Sequence, residues 1–292
     1  MLGDLELVLD AKATLGEAPC WDSEKQLLYW VDILEKKVCI FNPFTKVNRE
    51  ILLNQNVSAI VPRNVKEVVL TLENGFYLLN LETEILSNLH ELEGHLPNNR
   101  FNDGKCDAKG RFWAGTMDKF YAKEKGSLYC LDTDITVKRK LGSVSISNGL
   151  TWSFDNQFMY FIDTLTKKVV QYNFNIHSGE IDTPTEVINF SGVEGLPDGM
   201  TIDEEGMLWI AHWGGSKVSR WDPKKGNQLM EIIIPAINVT SCTFGGEDLS
   251  ELYITTARTG LAAKHLRQYP FSGGVFKIKT GVKGRPSYSF KG

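Results

Sequence analysis

Six oxygen-bearing side chains stand at the head of six similar segments: Glu17, Ser58, Asn102, Asn148, Asp198 and Ser241. They open EAPCWD, SAIVPR, NDGKCD, NGLTWS, DGMTID and SCTFGG, which align without gaps. Two of the six are carboxylates and the others amides or hydroxyls, a donor set suited to a hard cation such as Ca²⁺, Mg²⁺ or Mn²⁺. If the six positions meet, Glu17 and Asp198 repel one another and raise each other's pKa unless a counter-ion joins them. A bound metal resolves that conflict. For any one position the plainer reading is a polar residue lining a wet channel, since polar residues are common where strands begin. The column as a whole favours the ion.

The elements that bring the column together are legible in the same repeat. The segments start roughly 41 to 50 residues apart, the period of a propeller blade. Eleven or twelve residues after each start comes a second apolar run: LLYWVD, VVLTLE, RFWAGT, FMYFID, MLWIAH and ELYITT. The intervening SEKQ, AKG, DNQ and EEG are turn chemistry, so each unit begins as a β-hairpin. A third run follows in KVCIFN, GFYLLN, GSLYCL, KVVQYN, KVSRWD and GGVFKI. A fourth is indistinct, with ILLN at Ile51 and VINF at Val187 as candidates. No stretch sustains a 3.6-residue apolar period, which excludes alternating β/α folds. The expected fold is all-β: one six-bladed propeller domain over residues 1–292, with four-stranded antiparallel blades around a central channel. Leu5 to Leu9 precede the first repeat and form a spare strand able to complete the sixth sheet and remove its free edge.

Composition bounds the remaining possibilities. With 42% hydrophobic and 23% charged residues over 292 positions, the chain has the make-up of a folded soluble protein. Its net charge of -4 is spread through interspersed acids and bases, without a basic run to follow a phosphate backbone or an anionic lipid surface. Nucleic acid is not expected as a partner. The opening MLGDLELVLD is acidic where a signal peptide is basic, and no apolar run spans a bilayer, so a cytoplasmic location without membrane attachment is expected. Five scattered cysteines form no CxxC pair and read as reduced. Oligomeric state leaves no trace in the sequence.

The segments LGEAPCWD, RFNDGKCDAKGRFWAGTM, SNGLTWS, LPDGMTID and GGVFKI resemble the senescence marker protein (regucalcin) and gluconolactonase family along nearly the whole chain. The resemblance implies a six-bladed propeller that hydrolyses a sugar lactone with one divalent ion, Ca²⁺, Zn²⁺, Mn²⁺ or Mg²⁺. It implies that Glu17, Asn148 and Asp198 hold the ion and that Arg100 and Asn102 contribute to the substrate pocket. Lactone hydrolysis requires a polarised carbonyl, a water nucleophile and a stabilised oxyanion, all within the reach of one such ion. Asp198 is then ligand and general base, because the base must be a carboxylate in that shell. Arg100 donates to sugar hydroxyls as a rigid fork, with Asn102 beside it on the substrate or on a water at the ion. Some animal members carry an acidic residue beyond AGTM that shapes the substrate entrance. This chain has Phe120 there, leaving Asp118 or Glu124 as substitutes.

Each assignment has a rival. Arg100 lies in LPNNRFNDG, which reads as a loop and would suit a surface arginine. Asp103 either contacts a second ion or caps a turn beside Gly104, with the turn preferred. His212 reads as a structural histidine, since the five histidines lack ligand spacing. No GxSxG elbow, Walker loop or GxGxxG fingerprint is present. Two readings of the whole remain beside the lactonase: a broader metal-dependent esterase or phosphotriesterase, and a calcium-binding regulatory protein without turnover. A passive interaction platform has no need of carboxylates facing one another across a channel.

Overall fold

The computed structural model describes residues 2–292. Among them, six antiparallel sheets are arranged as a six-bladed β-propeller. Blade I comprises Gly16–Asp22, Leu27–Asp32, Lys37–Asn42 and Val47–Leu52, and blade II Ala59–Pro62, Glu67–Leu72, Gly75–Asn80 and Leu86–Glu91. Blade III comprises Asn99–Cys106, Phe112–Asp118, Gly126–Leu131 and Val137–Val144. Blade IV comprises Ser147–Trp152, Phe158–Asp163, Lys168–Asn175 and Thr185–Asn189, with the short Glu180–Ile181 pairing to the far end of Lys168–Asn175. Blade V comprises Leu196–Ile202, Leu208–Trp213, Lys217–Asp222 and Asn227–Ile233. The first strand of each blade packs against the first strand of the next, and that of the last blade returns to Gly16–Asp22.

The ring closes as expected. Blade VI takes Asn238–Gly245, Glu251–Ala257 and Val275–Lys279 from the end of the chain and Glu6–Leu9 from its start. Glu6 pairs with Lys277, Leu7 with Phe276 and Leu9 with Val275. The edge that Val275–Lys279 would otherwise present is thereby covered.

The second strands carry the largest core residues. Trp113 and Trp209 are fully buried, as are Tyr29 and Tyr253. They fill the seams between blades: Trp113 meets Trp152 and Phe174, while Trp21 stacks on Tyr253 with centroids 5.2 Å apart. The indole N–H groups of Trp113 and Trp209 are satisfied by the repeat itself, whereas those of Trp21 and Trp152 have no partner. Asp107 accepts from Trp113 Nε1, and Asp203 from Trp209 Nε1, both at 2.9 Å. The fourth strands are outermost and mostly exposed. With little apolar surface to bury, they lack the alternation by which a strand is read.

The C-terminal segment lies across one mouth of the channel. Arg285 Nη1 donates to Ser153 O at 2.9 Å, Phe290 N to Pro62 O at 2.8 Å and Lys291 N to Gly110 O at 3.1 Å, and the Phe290 ring is buried. Residues 286–290 therefore cover the channel. The other mouth is open.

Candidate metal and substrate site

In five of the six inner hairpins the pairing register slips at the oxygen-bearing column. The shifts fall at Glu17/Cys20, Phe101/Gly104, Ser147/Leu150, Pro197/Met200 and Val239/Ser241. A bulge bends its strand and re-aims a side chain. Here it occurs where the strands crowd around the axis. A Cβ on Gly149 would meet Met200 N at 2.8 Å, and one on Gly199 would meet Ser241 Cα at 2.8 Å. Asn148 and Asp198 are each followed by the one residue that fits. After Glu17 stands Ala18, held at φ 49°, a left-handed conformation that alanine adopts at a cost of ~1–3 kcal/mol. Its N–H donates to Glu17 Oε2 at 2.8 Å, so the strained residue fixes the carboxylate.

The open mouth leads to a cavity of about 370 Å³, within the size range of small-molecule sites. Its lining brings together Glu17, Arg100, Asn102, Asn148 and Asp198, all five residues singled out from the sequence. Ser58 and Ser241 lie away from it. Ser58 Oγ donates to Phe101 O at 2.6 Å, and Ser241 lines a small gap toward the covered mouth.

The carboxylates are held out of water. Burial and the charge of Asp103 push Glu17 up to about 8. Burial and the charge of Glu17 raise Asp198 well above the ordinary carboxylate range. Asp103 is raised too, chiefly by burial, against the pull of Lys105. Rather than capping a turn, Asp103 sits within the bulged strand and accepts from Gly104 N at 2.7 Å. Two buried acids that disfavour each other's ionised form call for a cation between them.

Asn148 supports that reading independently. Its Nδ2 donates to Thr164 Oγ1 at 3.0 Å, which directs Oδ1 the other way, and that buried oxygen has no hydrogen-bond partner. Buried amide oxygens are ordinarily paired. The described residues include no group of three His, Cys, Asp or Glu arranged to hold a metal. Here the acidic donors are two and the third oxygen is an amide's. All three are hard oxygen donors, so the set fits a divalent ion of the calcium or magnesium type.

Arg100 is a buried strand residue rather than a surface loop residue. Its Nη1 donates to Phe101 O at 2.8 Å and Asn102 Oδ1 at 2.7 Å, while Asn102 Nδ2 donates to Ser147 O at 2.7 Å. Asn102 thus ties blade III to blade IV and clamps the guanidinium. Burial lowers the Arg100 pKa, opposed by Tyr121, Glu17 and Asp198.

Neither Asp118 nor Glu124 lines the cavity. Asp118 is spent within its own loop, accepting from Phe120 N at 2.7 Å and Ala122 N at 3.2 Å, and Phe120 projects into solvent. Lys119 and Tyr121 occupy that side of the rim instead. Tyr121 stands at φ 63°, and Lys119 Nζ donates to Glu73 Oε2 at 2.7 Å. His212 lies outside the site, its Nδ1 bonded to Glu194 O and its Nε2 to Ser219 Oγ. Burial lowers its pKa to about 4, so it is neutral and structural.

Two features escaped the sequence reading. Thr164, which orients Asn148 and donates to Pro197 O at 2.9 Å, directly follows the second-strand run FMYFID, the position from which a cavity wall can rise. The second is a layer two residues before the column, at or just before the start of each inner strand: Leu15, Asn56, Arg100, Ile146 and Leu196 all line the cavity. Period-2 alternation could have revealed it.

Residues 15–258 match the SMP-30/gluconolactonase/LRE-like region family model. A Bacillus subtilis (strain 168) protein whose name assigns it as a sugar lactone lactonase, YvrE, is 40% identical over 289 residues, covering 99% of both chains. Regucalcin of Oryctolagus cuniculus is 40% identical over 294 residues, covering 99% of this chain and 98% of its own. The crystal structure of a regucalcin from Agrobacterium tumefaciens, described as a calcium-binding protein, superposes with a TM-score of 0.95. Its identity is 28%, with coverage of 99% of this chain and 97% of that one. No helix among the described residues is long and apolar enough to cross a membrane.

Proposed function

The chain belongs to the SMP-30/gluconolactonase/LRE-like family, and from that membership we propose that it hydrolyses a sugar lactone to the aldonic acid with the help of one divalent ion. The observation that carries the metal is the partnerless Asn148 Oδ1 beside two buried carboxylates at the floor of the open cavity. Glu17, Asn148 and Asp198 would hold the ion. When bound, it would supply Lewis acidity at the acyl oxygen, worth several kcal/mol.

The chain's own residues account for the remaining steps. Asp198 accepts a proton from the attacking water, a role open to a carboxylate that lines the cavity where the ion would sit. Glu17, fixed by the Ala18 N–H, remains an anchor. Arg100 keeps donors free after its bonds to Phe101 and Asn102, and these would grip substrate hydroxyls. Asn102, with one amide proton uncommitted, would lie beside the same hydroxyls.

A second reading, a calcium-binding protein without turnover, is favoured by the description of the Agrobacterium relative. The test is a panel of aldonolactones and phosphotriesters assayed by acid release with Ca²⁺, Zn²⁺, Mn²⁺ and Mg²⁺. Lactone turnover supports the proposal. Phosphotriester turnover alone would move the site to a broader esterase, and tight Ca²⁺ binding without any turnover would support the second reading.

A further inference from the structure

The cavity above the ion-holding floor has two unlike sides. Polar and charged groups gather on blades II and III: Asn56, Arg100, Lys119 and Tyr121. Around the rest of the wall, blades I, IV and V each contribute two apolar side chains, with Met117 added from blade III and the Thr259 hydroxyl from blade VI. In each pair one stands two residues before the column and the other at or just beyond the end of the second strand. The pairs are Leu15 and Leu34, Ile146 and Leu165, and Leu196 and Trp213. The repetition makes this arc a property of the blades rather than of one loop. Thr164, the hydroxyl on the blade IV side, is consumed by Asn148 and Pro197. Thr259 offers a hydroxyl beside this arc, but a polyhydroxylated ring filling the cavity would still leave hydroxyls against Leu15, Leu34, Ile146, Leu165 and Leu196 unpaired, at a cost of ~1–3 kcal/mol each.

Resting on the lactonase reading above, we propose that the site also hydrolyses lactones bearing an apolar substituent, such as δ-alkyl lactones. The ring ester lies on the floor and the alkyl chain against blades I, IV and V. The chemistry is unchanged: the water oxygen bonds to the acyl carbon, the ring C–O bond breaks, and the alkoxide so released takes up a proton to give the hydroxy acid. Apolar area buried against the arc raises kcat/KM by roughly two- to fourfold per methylene until the arc is covered.

The test compares wild-type kcat/KM, with the activating ion, on δ-valerolactone, δ-hexalactone, δ-octalactone, δ-decalactone and glucono-δ-lactone. A rise of at least tenfold from δ-valerolactone to δ-decalactone is expected, and Leu34→Asn/Leu165→Asn should flatten the slope. A flat or falling series beside intact turnover of glucono-δ-lactone overturns the inference and leaves the lactonase reading standing. Absence of turnover on every lactone overturns both. A steep wild-type series unaffected by the double variant would also contradict the inference, because the chain would then bind elsewhere.

Discussion

Asn148 Nδ2 donates to Thr164 Oγ1 at 3.0 Å, and Thr164 in turn donates to Pro197 O at 2.9 Å. This relay holds Nδ2 on Thr164 and leaves Oδ1 as the end without a partner. Without it, the amide is free to rotate and present its N–H group to a cation. Thr164→Val keeps the volume and removes the acceptor, so affinity for the ion should fall by about 10- to 100-fold, as when a supporting bond behind a ligand is lost. Thr164→Ser should restore most of it. Calorimetric titration of the chelated protein measures both, and an unchanged affinity in Thr164→Val would show that the amide is oriented by other contacts.

Metal dependence and pH should be linked through Glu17. Its folded pKa is raised from 4.5 to about 8. For a carboxylate raised on folding, the stabilisation is present below the unfolded value and lost as pH rises through the folded one. The metal-free protein should lose stability between pH 4.5 and 8, and Asp198, raised in the same sense, adds to the loss. A divalent ion compensates the charge, so the increase in Tm on adding it should be larger at pH 8.5 than at pH 5.5. An equal increase at both would mean that these carboxylates are ionised at low pH without metal.

Ring closure by Glu6–Leu9 makes the N-terminal strand structural. Deleting residues 1–9 leaves blade VI with three strands and an open edge, and should lower Tm by about 5 °C or more. Differential scanning calorimetry provides the comparison. An unchanged Tm would place closure in the remaining contacts between Gly16–Asp22 and Asn238–Gly245.

Asp198 is proposed for two tasks that one substitution separates, since asparagine keeps an oxygen for the ion and cannot take a proton. Asp198→Asn should retain weakened ion binding while turnover at saturating ion falls by roughly 10²- to 10⁴-fold. Asn148→Asp adds charge without moving the base. Near-normal turnover of Asp198→Asn at high ion concentration would make Asp198 a ligand alone and Glu17 the next candidate for the base.

The inner strands were the most legible part of the chain because oxygen-bearing residues at their heads and aromatic residues in the strands behind them recur in register. The outer strands were not, since Val47–Leu52 and Asn227–Ile233 are largely solvent-facing and carry little apolar signal. Within the site, the column located Glu17, Asn148 and Asp198 but could not show that bulges aim them. Arg100 was masked by its turn-like neighbours, although the strand it occupies buries it. Counting along the loop could not choose between Asp118 and Glu124, because it ignores where the backbone turns. Tyr121 and Glu124 both adopt positive φ, and the Asp118 side chain folds back onto Phe120 N and Ala122 N. Thr164 had no signature at all, since a threonine after a strand has many uses.

If one ion at Glu17, Asn148 and Asp198 drives lactone hydrolysis, a stoichiometric titration reveals it. Chelated protein, checked by circular dichroism for its retained fold, is titrated with Mn²⁺ while acid release from glucono-δ-lactone is followed. Turnover should be negligible at the start, rise in proportion to added ion and level off at one ion per chain. Full turnover in the metal-free protein would show that hydrolysis needs no ion.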